Sequence, residues 1–285
     1  MAGRVAGVFS DSTAGLGSAV DTAAREGAEE LFFFCERNSA VTARRAAQFR
    51  LPVSVIDPNG DFEVLDPAPP PILSPMPAAL APCEARMRGA GLEPVWEHDV
   101  LRGEWLGLEV ARATVTPDGP LFEVGVGRHD RAANTDIYPD GIPDAFLDQA
   151  VATVRELRRP GAPLHPANQL APERWLRAVL GHRPDLAGLG ALHAAPAPTE
   201  RADLRERAVA PALADRPVIA VCSVGVDPDV VPAAADARAA LAPGASLVVV
   251  VPEGDDHPMT ERLVAALTQP GEVRTVTAGW REAGP

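Results

Sequence analysis

The sequence predicts an α/β protein with a parallel βαβ unit at each end and an α+β region between them. Three observations carry this expectation. Residues 1–66 alternate short apolar runs with amphipathic segments, the pattern of strands and crossover helices. Residues 216–285 repeat that alternation. Between the two, Pro117-Asp118-Gly119 separates two runs of alternating apolar residues, and this turn chemistry marks a hairpin.

The elements follow in chain order. The run RVAGVFS is a strand, and a helix is expected from about Ser12 to Glu26, with Gly27 as its stop signal. The strand LFFFC, a helix from about Ala40 to Phe49 and the strand PVSVI complete the first unit. Residues 67–82 are proline-rich and read as an extended connector. The middle region, 83–200, opens with a helix around Glu84 and Met87. It continues with the hairpin GLEVARATV and PLFEVGVG, the helix FLDQAVATVRELR, and a second helix, APERWLRAVL, with Pro172 near its start. The stretch HAAPAPTE reads as a second linker. The last domain, 201–285, contains strand PVIAVCS, a helix opened by Asp227-Pro228, strand SLVVVVPE, helix PMTERLVAALT and strand EVRTVTA. Ser10 aligns with Ser223, Glu36 with Glu253 and VSVI with VRTV, a pseudo-repeat of two βαβαβ halves. The halves are compatible with one continuous sheet or with two small ones.

Composition narrows the function classes. A chain of 285 residues with 46% hydrophobic content can bury a sizeable core. No apolar run approaches the length of a membrane span, and the N-terminus lacks the apolar region of a signal peptide. Cys35, Cys83 and Cys222 are widely separated, as expected in a reducing cytoplasm. A net charge of -13 disfavours nucleic acid as a partner. There is no lysine, so Schiff-base chemistry, a phosphate-loop lysine and a lysine general base are all excluded. Arg as the main cation, with abundant Ala and Pro, points to a GC-rich bacterial genome.

The strand ends are where an open parallel sheet binds ligands. In the first unit they present Ser10, Asp11, Ser12, Thr13, Gly15 and Gly17, and a helix start there suits a phosphate. Gly15-Leu16-Gly17-Ser18-Ala19-Val20 resembles the dinucleotide fingerprint of Rossmann-like proteins with its last glycine replaced, and that resemblance makes Glu36 the ribose-binding acid. Ser10-Asp11-Ser12-Thr13 resembles the loop of the ATP pyrophosphatase (PP-loop) family without its two glycines; the similarity covers the first 60 residues. The alternative is that Ser12 or Thr13 only caps the helix. In the last unit, Ser223, Gly225 and Asp227 occupy the equivalent loop, with Asp229 beside them. Glu253, Asp255, Asp256 and His257 make the next loop acidic, suited to Mg²⁺ or sugar hydroxyls, or simply to helix capping.

The hairpin carries a second candidate. Glu109 on one strand and Glu123 on the next resemble the carboxylates of the PD-(D/E)XK nuclease core. That resemblance implies Mg²⁺ held by Glu109 and Glu123, with Glu84 and Gln149 on flanking helices. Gly125 stands at the position of the family's lysine, and Arg128 is the nearest cation. The alternative pairs these glutamates with Arg112 or Arg128.

The remaining candidates are His98-Asp99, His129-Asp130, Asp256-His257, the Arg128–Arg131 cluster as an anion holder or a self-neutralising turn, and the segment containing His165, Asn168 and Trp175. Arginine beside an aromatic ring in that segment suits a nucleotide base or a peptide, although Trp175 also suits a core anchor. The leading expectation is a small phosphorylated ligand at the strand ends. A nuclease-like protein and a non-catalytic interaction protein are the alternatives.

Overall fold

A computed structural model describes residues 4–162, 165–198, 210–215 and 217–284. The end of the expected second linker and the start of the last domain, 199–209, therefore lie outside the described residues.

The first unit contains β1 (Val5–Ser10), α1 (Leu16–Arg25), β2 (Glu30–Cys35), α2 (Ser39–Ala46) and β3 (Val53–Ile56). Its sheet is parallel, in the order β1-β2-β3, with Val8 opposite Phe33 and Phe33 opposite Val55. Leu31, Phe33 and Cys35 of β2 point into the core, as its period of two requires. Helix α1 starts at Leu16, not at Ser12, because the residues from Ser10 to Ala14 spend their hydrogen bonds on local turns.

Within the expected connector of residues 67–82, a 3-10 turn at Ala78–Leu80 leads into α3 (Ala81–Gly89), so the extended stretch ends before residue 78. Next come β4 (Glu93–Glu97), β5 (Val100–Trp105), β6 (Leu108–Thr116) and β7 (Gly119–Val124). These form one antiparallel meander, so the expected hairpin is half of a four-stranded sheet. His98 and Asp99, both at positive φ (53° and 59°), form the tight turn between β4 and β5, which accounts for that His–Asp pair. The Arg128–Arg131 cluster is the start of α4 (Arg128–Ile137), where a surface turn was one expectation. Helices α5 (Asp144–Leu157) and α6 (Pro172–His182) follow as expected.

The chain ends with β8 (Leu192–Ala194), β9 (Ala210–Ala214), β10 (Val218–Cys222), α7 (Val230–Leu241), β11 (Ser246–Pro252), α8 (Pro258–Ala266) and β12 (Glu272–Val276). The sheet order is β12-β11-β10-β9-β8. β10, β11 and β12 are parallel, whereas β9 and β8 add antiparallel strands on the free side of β10. Part of the expected second linker is thus a strand.

The two ends form two sheets. Helices α1 and α2 on the first sheet pack against α7 and α8 on the last, so one core runs from Phe33 and Val55 through Val20 and Ala234 to Val221 and Val249. Ion pairs cross this helical layer at two places. Arg262 on α8 grips Asp21 on α1 at 2.7 and 2.9 Å. Arg44 on α2 grips Asp236 on α7 at 2.7 and 2.9 Å, with Arg45 adding a bond at 3.3 Å. The opposite face of the last sheet is covered by α6 and Trp280, and α3 and α5 close the meander's own core. Among the described residues no helix is long and apolar enough to cross a membrane.

Candidate functional site

The first strand-end loop is already occupied from within. The Asp229 carboxylate, reaching across from the last unit, accepts hydrogen bonds from the Gly15 and Gly17 amides at 2.6 and 2.9 Å. Gly15, at φ 89°, is the N-cap of α1, so the anion that this helix start favours is the protein's own carboxylate. A Cβ on Gly17 would lie 1.9 Å from the Pro228 carbonyl oxygen, which makes this glycine a point of close backbone approach. Burial raises the Asp229 carboxyl above its ordinary range, and the two amides pull it back.

Two further amides nearby are engaged as well. Ser10 Oγ accepts from the Ser12 amide at 3.3 Å and donates to the Ala14 carbonyl at 2.7 Å, while Ser12 Oγ accepts from the Ala14 amide at 3.3 Å. Ser12 and Thr13 are buried. Asp11 is paired with Arg37 at 3.0 Å, and Glu36 is exposed at the end of β2. In the last unit, Asp227 accepts from the Asp229 amide at 3.0 Å, the Gly225 amide donates to Asp255 at 2.7 Å, and Ser223 is buried. Glu253 accepts from the Ala278 amide at 3.2 Å, and His257 caps α8 through its Nδ1. The sequence-predicted loops therefore meet one another.

Of the two hairpin carboxylates, Glu109 is held by arginines. Glu109 bonds Arg102 at 3.0 Å, Arg112 at 2.8 Å and Arg131 at 2.8 Å, which places three guanidinium groups where a metal would need lone pairs. Glu123 sits on β7 in register with Arg112. The expected Arg112 partner is present; the other two are Arg102 and Arg131, not Arg128. The three His–Asp pairs are dispersed over a turn, α4 and the start of α8, and the described residues contain no group of three metal-ligating side chains. This donor set does not fit Mg²⁺.

A different strand end is open. A cavity of about 370 Å³ lies beside Val224, just past β10, and its wall includes Arg159, His165, Asn168, Trp175 and Arg281. It brings the segment after α5 together with the residues after β12. The indole N–H of Trp175 and the Nε–H of Arg281 are buried with no acceptor among the described residues. Trp175 is 3% exposed and meets Trp280 edge-on, at 5.8 Å between ring centroids. The guanidinium of Arg158 lies 4.6 Å from the Trp175 ring centroid and that of Arg281 lies 5.5 Å from it. Arg158 donates only to the carbonyls of Leu106, Ala167 and Leu170, so its charge has no carboxylate partner among the described residues. Burial pulls Arg158 down to about 10 and lowers Arg281 as well. Glu282 also lines the cavity, with its carboxylate taken by the Gly161 amide at 2.7 Å.

His165, Asn168 and Trp175 were legible as a group because they are close in sequence. Arg281 was not, since it is more than a hundred residues away. Its position one turn past the third strand end of the repeat was the available signal. No protein-family model, no curated protein and no solved structure matches this chain.

Proposed function

We propose that this protein binds a small anionic metabolite, a nucleotide or phosphorylated compound, in the cavity at the carboxyl edge of the C-terminal sheet. The observation that carries the reading is the pair of buried, unsatisfied donors, Trp175 Nε1 and Arg281 Nε, on side chains that line it. A buried donor without an acceptor costs about 1–3 kcal/mol, and a ligand oxygen removes that cost when either side chain turns into the cavity. Arg281 lines the cavity beside Arg159, which is itself paired with Glu156 at 2.9 Å. Parallel strands β10, β11 and β12, in the order of a Rossmann-like half, end at the same edge.

A thermal-shift titration tests this with ATP, glucose 6-phosphate and inorganic phosphate as probes. At a hundredfold excess over Kd, a bound ligand adds about 2.7 kcal/mol to stability. The expected result is a shift that is lost in Arg281→Gln and weakened in Arg159→Gln, and retained in Ser12→Ala. A shift retained in both arginine variants, or none with any probe, overturns the reading.

A further inference from the structure

Right-handed crossovers that join neighbouring parallel strands in one direction put their helices on the same face of the sheet. The order β1-β2-β3 is that case, and α1 and α2 both cover the face that carries Leu31, Phe33, Cys35 and Val55. The opposite face stays open, although all-parallel sheets are ordinarily buried on both sides. On it, Val5 and Phe9 of β1 are 61% and 72% exposed. Phe32 and Phe34 of β2 share that face and lie outside the three buried cores. Phe9 is in register with Phe34, and the two rings stack with centroids 4.3 Å apart. Val64 extends the face through an antiparallel bridge to Ile56, and both Val64 and nearby Phe62 are exposed.

Gly7 sits between Val5 and Phe9 on the same face. A glycine inside a strand weakens it, and commonly marks a bulge or a close approach by another group. β1 pairs with β2 in unbroken register from Val5 to Ser10, so there is no bulge. Among the described residues nothing comes within 4 Å of where a Gly7 Cβ would lie. The notch opens outward, two residues from the Phe9–Phe34 stack, so one face carries both a projection and a recess.

We infer that this face docks a second copy of the chain, packed sheet to sheet about a two-fold axis. An isologous contact uses one patch twice, so the patch must supply both sides of every contact. Phe9 and Gly7 meet that requirement. With the strands of the two copies antiparallel, Phe9 of each enters the notch at the partner's Gly7. Six residues of β1 span about 20 Å, and β1, β2, β3 and the bridging Val64 span about 19 Å, so the face covers about 400 Å² per copy and about 800 Å² in the pair. That area belongs to weak, transient contacts, so the dimer is concentration-dependent and the fold does not require it.

Sedimentation equilibrium of the full-length protein over a concentration series tests this. The expected result is a monomer–dimer equilibrium in the micromolar range. It tightens as salt rises, because two copies of net charge -13 repel each other and salt screens that repulsion. Phe9→Asp on β1 and Val64→Asp at the far side of the face each weaken it at least roughly tenfold. Ile72→Asp, at an exposed apolar residue of the connector, leaves it unchanged. Circular dichroism melts confirm that all three variants fold. A wild type that stays monomeric up to about 1 mM overturns the inference. So does a dimer that survives either Phe9→Asp or Val64→Asp, one that is lost equally in Ile72→Asp, or one that loosens as salt rises.

Discussion

At the scale of single residues, Gly17 and Asp229 determine how the two halves join. Alanine is the better helix former by about 1 kcal/mol. At Gly17, however, its Cβ meets the Pro228 backbone oxygen at 1.9 Å, and that backbone cannot retreat without dragging Asp229 from the α1 amides. The steric effect wins. Gly17→Ala is expected to destabilise the fold by about 2 kcal/mol or more in urea denaturation, the cost of overpacking a tight contact. Gly7, with nothing within 4 Å of its missing Cβ, is the control, and Gly7→Ala is expected to be close to neutral. Asp229→Ala removes only the carboxylate and is expected to cost about 1–2 kcal/mol, the worth of a helix cap. Equal stability for Gly17→Ala and wild type would sink the close-approach argument. In the sequence Gly17 resembles a phosphate-loop glycine because both roles need the same thing, a backbone with no Cβ in the way. What approaches it is set 211 residues further on, by Pro228.

Among the elements, β4, β5 and α6 are held together by charge. Glu97 and Glu104 are almost fully buried, and Arg174 of α6 bridges both. Burial alone would raise the Glu97 carboxyl, but the Arg174 and Arg102 charges and the Ala197 amide hold it down to about 2, against an ordinary value of 4.5. A carboxylate depressed in the folded state stabilises the fold above its unfolded pKa. That stability is lost as pH falls through the window from 4.5 to about 2. The contribution is on the order of 3 kcal/mol at neutral pH. Urea denaturation of wild type at a series of pH values is expected to show this loss, and Glu97→Gln is expected to flatten it within that window. A variant with the wild-type slope would show that other carboxylates drive acid unfolding. These strands were hard to read from sequence for the same reason. EPVWE and VLRGEW place glutamates at buried positions and an arginine at a half-buried one, which masks the alternation that exposed β6 and β7 to view. β9, with sequence APALA, has neither β-branched nor aromatic residues, and its partner β8 is three residues long.

Over the whole molecule, the parallel units were legible because β11 is a run of four valines buried on both faces and because small residues fill the helices that cover it. Their face-to-face arrangement was not, since nothing in a strand pattern distinguishes one sheet of six strands from two of three. Helix α7 held the clue. Every residue from Val230 to Arg238 is buried, as a helix between two layers must be. The cross-layer ion pairs then give the repeat a physical test. Asp21 on α1 is bound by α8, and Asp236 on α7 is bound by α2, so each half offers an aspartate on its first helix to arginine on the other half's second helix. The reciprocity is topological, but the energies are unequal. Arg262 is 45% exposed, so its pair with Asp21 is screened, and Asp21→Ala is expected to cost about 1 kcal/mol. Arg44 and Arg45 are 8% and 4% exposed, so Asp236→Ala removes the carboxylate from two buried guanidinium groups at a cost of about 3–5 kcal/mol. Urea midpoints of the two variants settle the comparison. If Asp21→Ala proves the more damaging, the helical layer is held by its screened edge, and the buried arginines of α2 are satisfied by other means.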